Sequence, residues 1–148
     1  MSNNYSDRAT GEVFTSAREM VNRYIQRFGA KTTISVPPLD DLGYTQFPKG
    51  SAQVGVNVLE DHGVLLILAP IMPIPKTRRE DLYRRLLELS FIGTSDAAFA
   101  IDAQKEEVYV RALRRLSGLD YEEFEDLVDT VGRVADDWDD ALKREFKG

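Results

Sequence analysis

One histidine, one dense run of acids and no cysteine bound the chemistry that this 148-residue sequence could do. His62 stands in Asp61-His62-Gly63, a turn-like tripeptide between two apolar segments. A catalytic imidazole needs a cleft and an orienting partner. A hairpin tip supplies neither, although Glu60 and Asp61 adjoin the ring. The acidic run is Asp136-Asp137-Trp138-Asp139-Asp140. At about 100° per helical residue its four carboxylates fan over roughly 160° and do not converge on an ion. Calcium also prefers oxygens from a flexible loop. Asp129, Asp139 and Asp140 each have a base four residues on, namely Arg133, Lys143 and Arg144. That order suits helix-surface ion pairs, each contributing about 0.2–0.5 kcal/mol. No metal ligand set, cofactor motif or catalytic residue is therefore expected.

A second charged stretch, with Lys76, Arg78, Arg79, Arg84 and Arg85, could suggest phosphate binding. Glu80, Asp81 and Glu88 dilute it, and no aromatic platform accompanies it. A solvated face, or pairing with the acidic C-terminal segment across an interface, fits better. Neither a glycine-rich phosphate loop after a strand nor Gly-x-Ser-x-Gly occurs. The net charge of −6 disfavours nucleic acid as a partner. Its acidity is local: residues 120–148 hold eleven acids against four bases. The absence of cysteine excludes disulfides and zinc ribbons and suits a reducing compartment. No secretion signal or membrane-length apolar run is visible, which leaves the cytoplasm as the expected location.

The elements that would carry these residues read as one domain over 1–148. Val13, Ala17, Met20, Val21, Tyr24, Ile25 and Phe28 give a helical stripe, with Thr10 as N-cap and Gly29 as stop. Residues 31–36 favour a strand, and 39–50 read as a loop punctuated by Gly43, Pro48 and Gly50. Residues 53–60 alternate as a half-buried strand. Residues 64–71 are almost continuously apolar, so both faces should be covered, one by a helix and one by a partner subunit. Thr77 and Glu80 have the spacing of a capping box before a helix striped by Leu82, Leu86 and Leu89. Residues 97–102 and 108–113 form a second hairpin. A last helix of about 26 residues opens at Asp120, with Glu123 completing a capping box and Leu119 and Phe124 a staple. At about 39 Å it outruns a domain of this size, so Trp138, Leu142 and Phe146 could project toward a partner. The order is α-β-β-β-α-β-β-α, an α+β fold with a twisted five-stranded antiparallel sheet.

The stretch from Pro75 to Trp138 carries a resemblance. A helix with Leu86-Leu87-Glu88-Leu89-Ser90 precedes Phe99-Ala100-Ile101-Asp102, then Val108-Tyr109-Val110-Arg111, then Leu119-Asp120 opening an acidic amphipathic helix. This order resembles the class I type III secretion chaperones (the CesT/Tir-chaperone type) and the related YbjN-type bacterial domains. The ending Leu89-Ser90-Phe91-Ile92-Gly93 looks nearer to the YbjN type. The resemblance implies a small, acidic, cytoplasmic homodimer without enzymatic activity that keeps an extended segment of an effector protein unfolded along its surface. It places the middle helix, with Leu82, Leu86 and Leu89, at the dimer seam. A regulatory or sensory adaptor binding a small ligand or signalling partner is the other function this scaffold would suit.

Overall fold

A computed structural model describes residues 5–147. A short ribbon pairs β1 (Tyr5–Ser6) with β2 (Val13–Phe14) ahead of helix α1 (Ala17–Thr32). Then follow β3 (Tyr44–Lys49), β4 (Ala52–Leu59), a single 3-10 turn, and β5 (Val64–Pro73). Helix α2 (Arg79–Ile92), strands β6 (Ala98–Asp102) and β7 (Glu107–Arg115), and helix α3 (Tyr121–Glu145) complete the chain. The main sheet has five strands in the order β3-β4-β5-β7-β6, every pair antiparallel.

Three expected boundaries move, each for a local reason. Helix α1 starts at Ser16 rather than Thr10. The Ser16 hydroxyl accepts the Glu19 N–H (3.1 Å), while the Glu19 carboxylate takes the Thr15 N–H (3.1 Å). Ser16-x-x-Glu19 is itself a capping signature. Val13, upstream of it, is strand and exposed. The helix also runs through Gly29 to Thr32, so residues 31–36 form no strand. Gly29 is needed for room: a Cβ there would come within 3.0 Å of the Ile34 carbonyl. The chain turns only at Thr33, in the left-handed region. Ile34 and Val36 then pack on the core without joining a ladder.

The missing strand is β3, in the stretch expected to be loop. Thr45 and Phe47 point inward and Gln46 and Pro48 outward. Pro48 is tolerable there because β3 is an edge strand. Gly50 and Ser51 turn the chain into β4, from Lys49 paired with Ala52. Helix α2 begins at Arg78, which sits in the left-handed region with no side-chain cap, so Thr77 and Glu80 do not cap it.

One face of the sheet is the core. Val54, Val56, Leu65, Ile67, Val108 and Val110 are wholly buried there with the inner stripes of α1 and α3. An aromatic cluster links these layers: Tyr24 meets Phe14, Tyr121 and Phe124 with ring centroids about 6 Å apart. Each such buried large side chain contributes about 1.5–3 kcal/mol relative to exposure. The Asp120 carboxylate accepts the Glu123 N–H at 2.8 Å, the N-cap its spacing implies.

Candidate functional site

Among the described residues, no helix lies over the other face of the sheet, whose Leu66, Leu68, Arg111 and Leu113 are at least partly exposed. Cross-strand partners share a face, so the register sets out its surface: Leu66 beside Leu113, Leu68 beside Arg111, and Tyr44 beside Asn57. A hollow of about 690 Å³ lies across it, floored by Leu66, Leu68 and Leu113. Tyr44, Tyr109 and Arg111 stand around that floor. Gly55 makes the floor possible, since a Cβ there would fall 2.7 Å from the Tyr44 hydroxyl and 3.1 Å from the Leu68 side chain. The Tyr44 ring thus covers the glycine, and its hydroxyl donates to Gln46 at 3.1 Å. Burial raises Tyr44 and Tyr109 above the ordinary phenol range. The Tyr109 hydroxyl also bonds Glu107, which raises it further, while Lys105 opposes the shift. Both phenols stay protonated near neutrality and can donate hydrogen bonds. Within the single chain, residues 64–71 are covered on one side, which leaves free the side expected to meet a partner subunit.

Helix α2 has two apolar faces. Leu82, Leu86 and Leu89 point into the chain's own core and are 0%, 5% and 9% exposed. Leu87, Phe91 and Ile92 form an outward ridge, 74%, 86% and 76% exposed. The expected seam residues therefore pack inside the chain, and the ridge is the exposed apolar side of α2. The sequence signal for it was Leu87-x-x-x-Phe91-Ile92, a second apolar stripe beside the first.

The far end of α3 does not project. Leu142 and Phe146 are buried, and Trp138 packs half-buried on the core. Basic residues of the α2 region cover them. The Arg85 guanidinium lies 5.5 Å from the Trp138 ring centre and reaches Glu145 at 3.4 Å. Arg78 stacks over Phe146 at 4.9 Å and donates to the Glu145 carbonyl at 2.8 Å. The pairing of basic and acidic helices occurs within one chain, and Trp138, Leu142 and Phe146 pack into its core from that end of α3.

The acidic run is likewise structural. The Ser51 N–H and hydroxyl both donate to Asp136, and the hydroxyl lies 3.2 Å from Asp139. Those bonds hold Asp136 below the usual carboxylate range. Asp129 turns to Lys49 at 3.2 Å, and Arg133 reaches Ser95. The β3–β4 turn is thereby fastened to α3. His62 lies exposed in the 3-10 turn, beside a hollow shared with Arg18 and Asp41. Arg18 is spent on the carbonyls of Asp40 and Asp41, at 2.6 and 3.2 Å. No group of three metal-ligating side chains occurs among the described residues. None of their helices is long and apolar enough to cross a membrane.

The family model for the Tir chaperone protein (CesT) family matches residues 23–139. The chain belongs to the Tir chaperone (CesT) family. Solved structures share the fold of this family member. A chain of the HopA1–SchA chaperone–effector complex superposes with a TM-score of 0.66 at 10% identity, covering 84% of this chain and 96% of that one. A chain of the heterodimeric ExoU–SpcU complex from the type III secretion system of Pseudomonas aeruginosa gives 0.62 at 16% identity, covering 83% and 97%. YbjN from E. coli gives 0.57 at 11% identity, covering 78% and 88%. No curated protein sequence matches the chain significantly. The matched span of the family model takes in most of α1, the whole five-stranded sheet and α2.

Proposed function

We propose that this member of the CesT family is a non-enzymatic, homodimeric, chaperone-like protein-binding module of the cytoplasm that holds an extended segment of a partner protein. One observation carries the reading. Leu87, Phe91 and Ile92 are exposed on α2, and Leu113 stands half-exposed with Leu66 and Leu68 on the uncovered sheet face. Exposed apolar surface of this kind marks an interaction site in a folded domain. The ridge of α2 supplies the dimer seam, backed by Leu82, Leu86 and Leu89. The open sheet face supplies the partner surface, where apolar side chains of an extended segment settle on Leu66, Leu68 and Leu113 and its polar groups meet Tyr44, Tyr109 and Arg111. The solved chaperone–effector complexes with this fold support the same reading.

Light scattering tests the seam. The wild type is expected to be a dimer at micromolar concentration, and Phe91→Glu a folded monomer. A monomeric wild type removes the dimer from the proposal. Pull-down with mass spectrometry tests the partner surface. Recovery of one protein by the wild type, lost with Leu66→Asp, supports it. Recovery of nothing but the homodimer defeats it.

The 690 Å³ hollow, with its apolar floor and polar rim, favours one second reading: an adaptor for a small amphipathic ligand or a signalling partner. A thermal shift with one metabolite class, abolished by Leu66→Asp, would select it over the first.

A further inference from the structure

Three lysines line a different hollow, of about 460 Å³, at the C-terminal end of α3. Met72, Ile74 and Phe146 line it, together with Lys76, Lys143 and Lys147. The apolar three are buried and the lysines exposed. The hollow shares no lining residue with the open sheet face.

Helix stability accounts for only part of this cluster. Lys143 lies in the last turn of α3, where a cation offsets the helix dipole. Lys76 has the opposite setting. It stands just before α2, at the positive end of that helix, where a cation is disfavoured. Two of the nearby acids are engaged elsewhere. The Glu145 carboxylate meets Arg85, and Glu107 bonds the Tyr109 hydroxyl. Asp140 borders an adjoining hollow, where it faces Lys143, Arg144 and Lys147 together. Cations thus accumulate over an apolar floor in a protein of net charge −6. A local rule broken without a gain in stability marks a functional surface.

We propose that this hollow docks an acidic segment of a partner protein. The segment seats one large apolar side chain over Met72, Ile74 and Phe146 and lays flanking carboxylates on Lys76, Lys143 and Lys147. Charge complementarity selects the acids, and the floor selects the apolar anchor. A bare phosphate would leave that floor uncovered. A nucleic-acid duplex would need a longer cationic track, and the adjacent surface of α3 is rich in acids.

The probe is a fluorescein-labelled peptide with one phenylalanine between pairs of glutamates, titrated with the full chain and read by fluorescence anisotropy. Binding is expected to weaken about tenfold in the Lys143→Glu/Lys147→Glu variant and to fall with added salt. Alanine in place of the peptide's phenylalanine should cost about tenfold as well. Lys143→Arg/Lys147→Arg keeps the charge and is expected to keep the binding. Leu113→Asp, on the open sheet face, is expected to bind the peptide like the wild type, so loss of that face's partner leaves this result standing. Circular dichroism confirms that each variant is folded. The proposal is overturned if the wild type does not bind the peptide, or if the glutamate variant or a glutamine version of the peptide binds undiminished. Displacement of the peptide by inorganic phosphate or a DNA duplex at equal concentration also overturns it.

Discussion

The two faces of the sheet share ten-residue β5, yet they have opposite fates. Leu65, Ile67 and Ala69 alternate with Leu66 and Leu68, so neighbouring residues of similar type point to opposite sides. The first set is sealed beneath α3, and the second lines an open hollow. An apolar side chain on the sealed face stabilises the monomer. The same kind of side chain on the open face leaves its hydrophobic free energy for a second polypeptide. The largest expected effect in this comparison is therefore on the sealed face. Ile67→Ala should lower the stability of the folded chain by about 3 kcal/mol, since it removes buried methyl groups and leaves a cavity. Urea denaturation of Ile67→Ala and Leu66→Ala side by side, in the Phe91→Glu background to exclude assembly, measures the contrast. Equal losses would erase the distinction between the faces.

The sealed face is fastened at one end by Asp7, and acid should loosen it there. The Asp7 carboxylate accepts the N–H groups of Ala9 (2.8 Å), Thr10 (3.2 Å) and Tyr121 (3.3 Å). The Tyr24 hydroxyl lies within hydrogen-bond reach of both this carboxylate and the Leu119 carbonyl (3.0 Å), and its one proton serves either acceptor. Burial pushes the carboxyl up, but the Tyr24 hydroxyl and the three N–H groups outweigh it and hold Asp7 below its usual range. A lowered folded-state value means stability that is present above the unfolded value and lost as pH falls through the folded one. The loss should appear below about pH 4. Asp7→Asn should cost about 1–2 kcal/mol at neutral pH and flatten that acid limb. Urea midpoints across the acid range provide the check. An acid limb unchanged in Asp7→Asn would assign it to other carboxylates.

Asp120 fastens the same face less strongly. Its carboxylate serves one N–H at the start of α3, where the first-turn donors have no helical partner. Asp120→Ala should cost about 1 kcal/mol. The effect should appear in thermal melts of both the dimer and the Phe91→Glu variant. A loss confined to the dimer would tie the cap to assembly and not to the sealed face.

The comparison also explains what could be read in advance. Binary patterning showed β4, β5, β6, β7 and both long helices, because alternation and helical spacing are imposed by burial on one side. The Asp120 cap was legible for the same local reason. Strand β3 was not, since Pro48, Gly43 and Gly50 read as breakers until its place at the sheet edge makes the proline harmless. The end of α1 was misplaced because Gly29, a good terminator, answers to the approach of the Ile34 carbonyl, a contact that no local pattern displays. The candidate surfaces were harder still. The spacing of the α2 leucines already set a stripe of Leu82, Leu86 and Leu89 apart from Leu87, but which of the two faces the chain's own core depends on where β6 lies. Trp138, Leu142 and Phe146 pointed outward only while α3 was a lone cylinder. Arg78 and Arg85, from another element, cover them.

The smallest expected effect on stability belongs to Leu113, and it separates the two faces most sharply. This side chain is 46% exposed in the isolated chain and pairs with Leu66 across the open face. Replacing a half-exposed side chain removes little burial, so Leu113→Asp in the Phe91→Glu background should shift the urea midpoint by an amount equal to about 0.5 kcal/mol or less. The same aspartate would be buried without a partner once another polypeptide covers the sheet, and an unpaired buried charge is strongly unfavourable. Recovery of a bound protein should therefore collapse while the chain's own stability hardly changes. A large stability loss in the monomeric background would mean that this face is already part of the folded core. Unchanged partner recovery would mean that the partner rests elsewhere, with the α2 ridge then the surface to test.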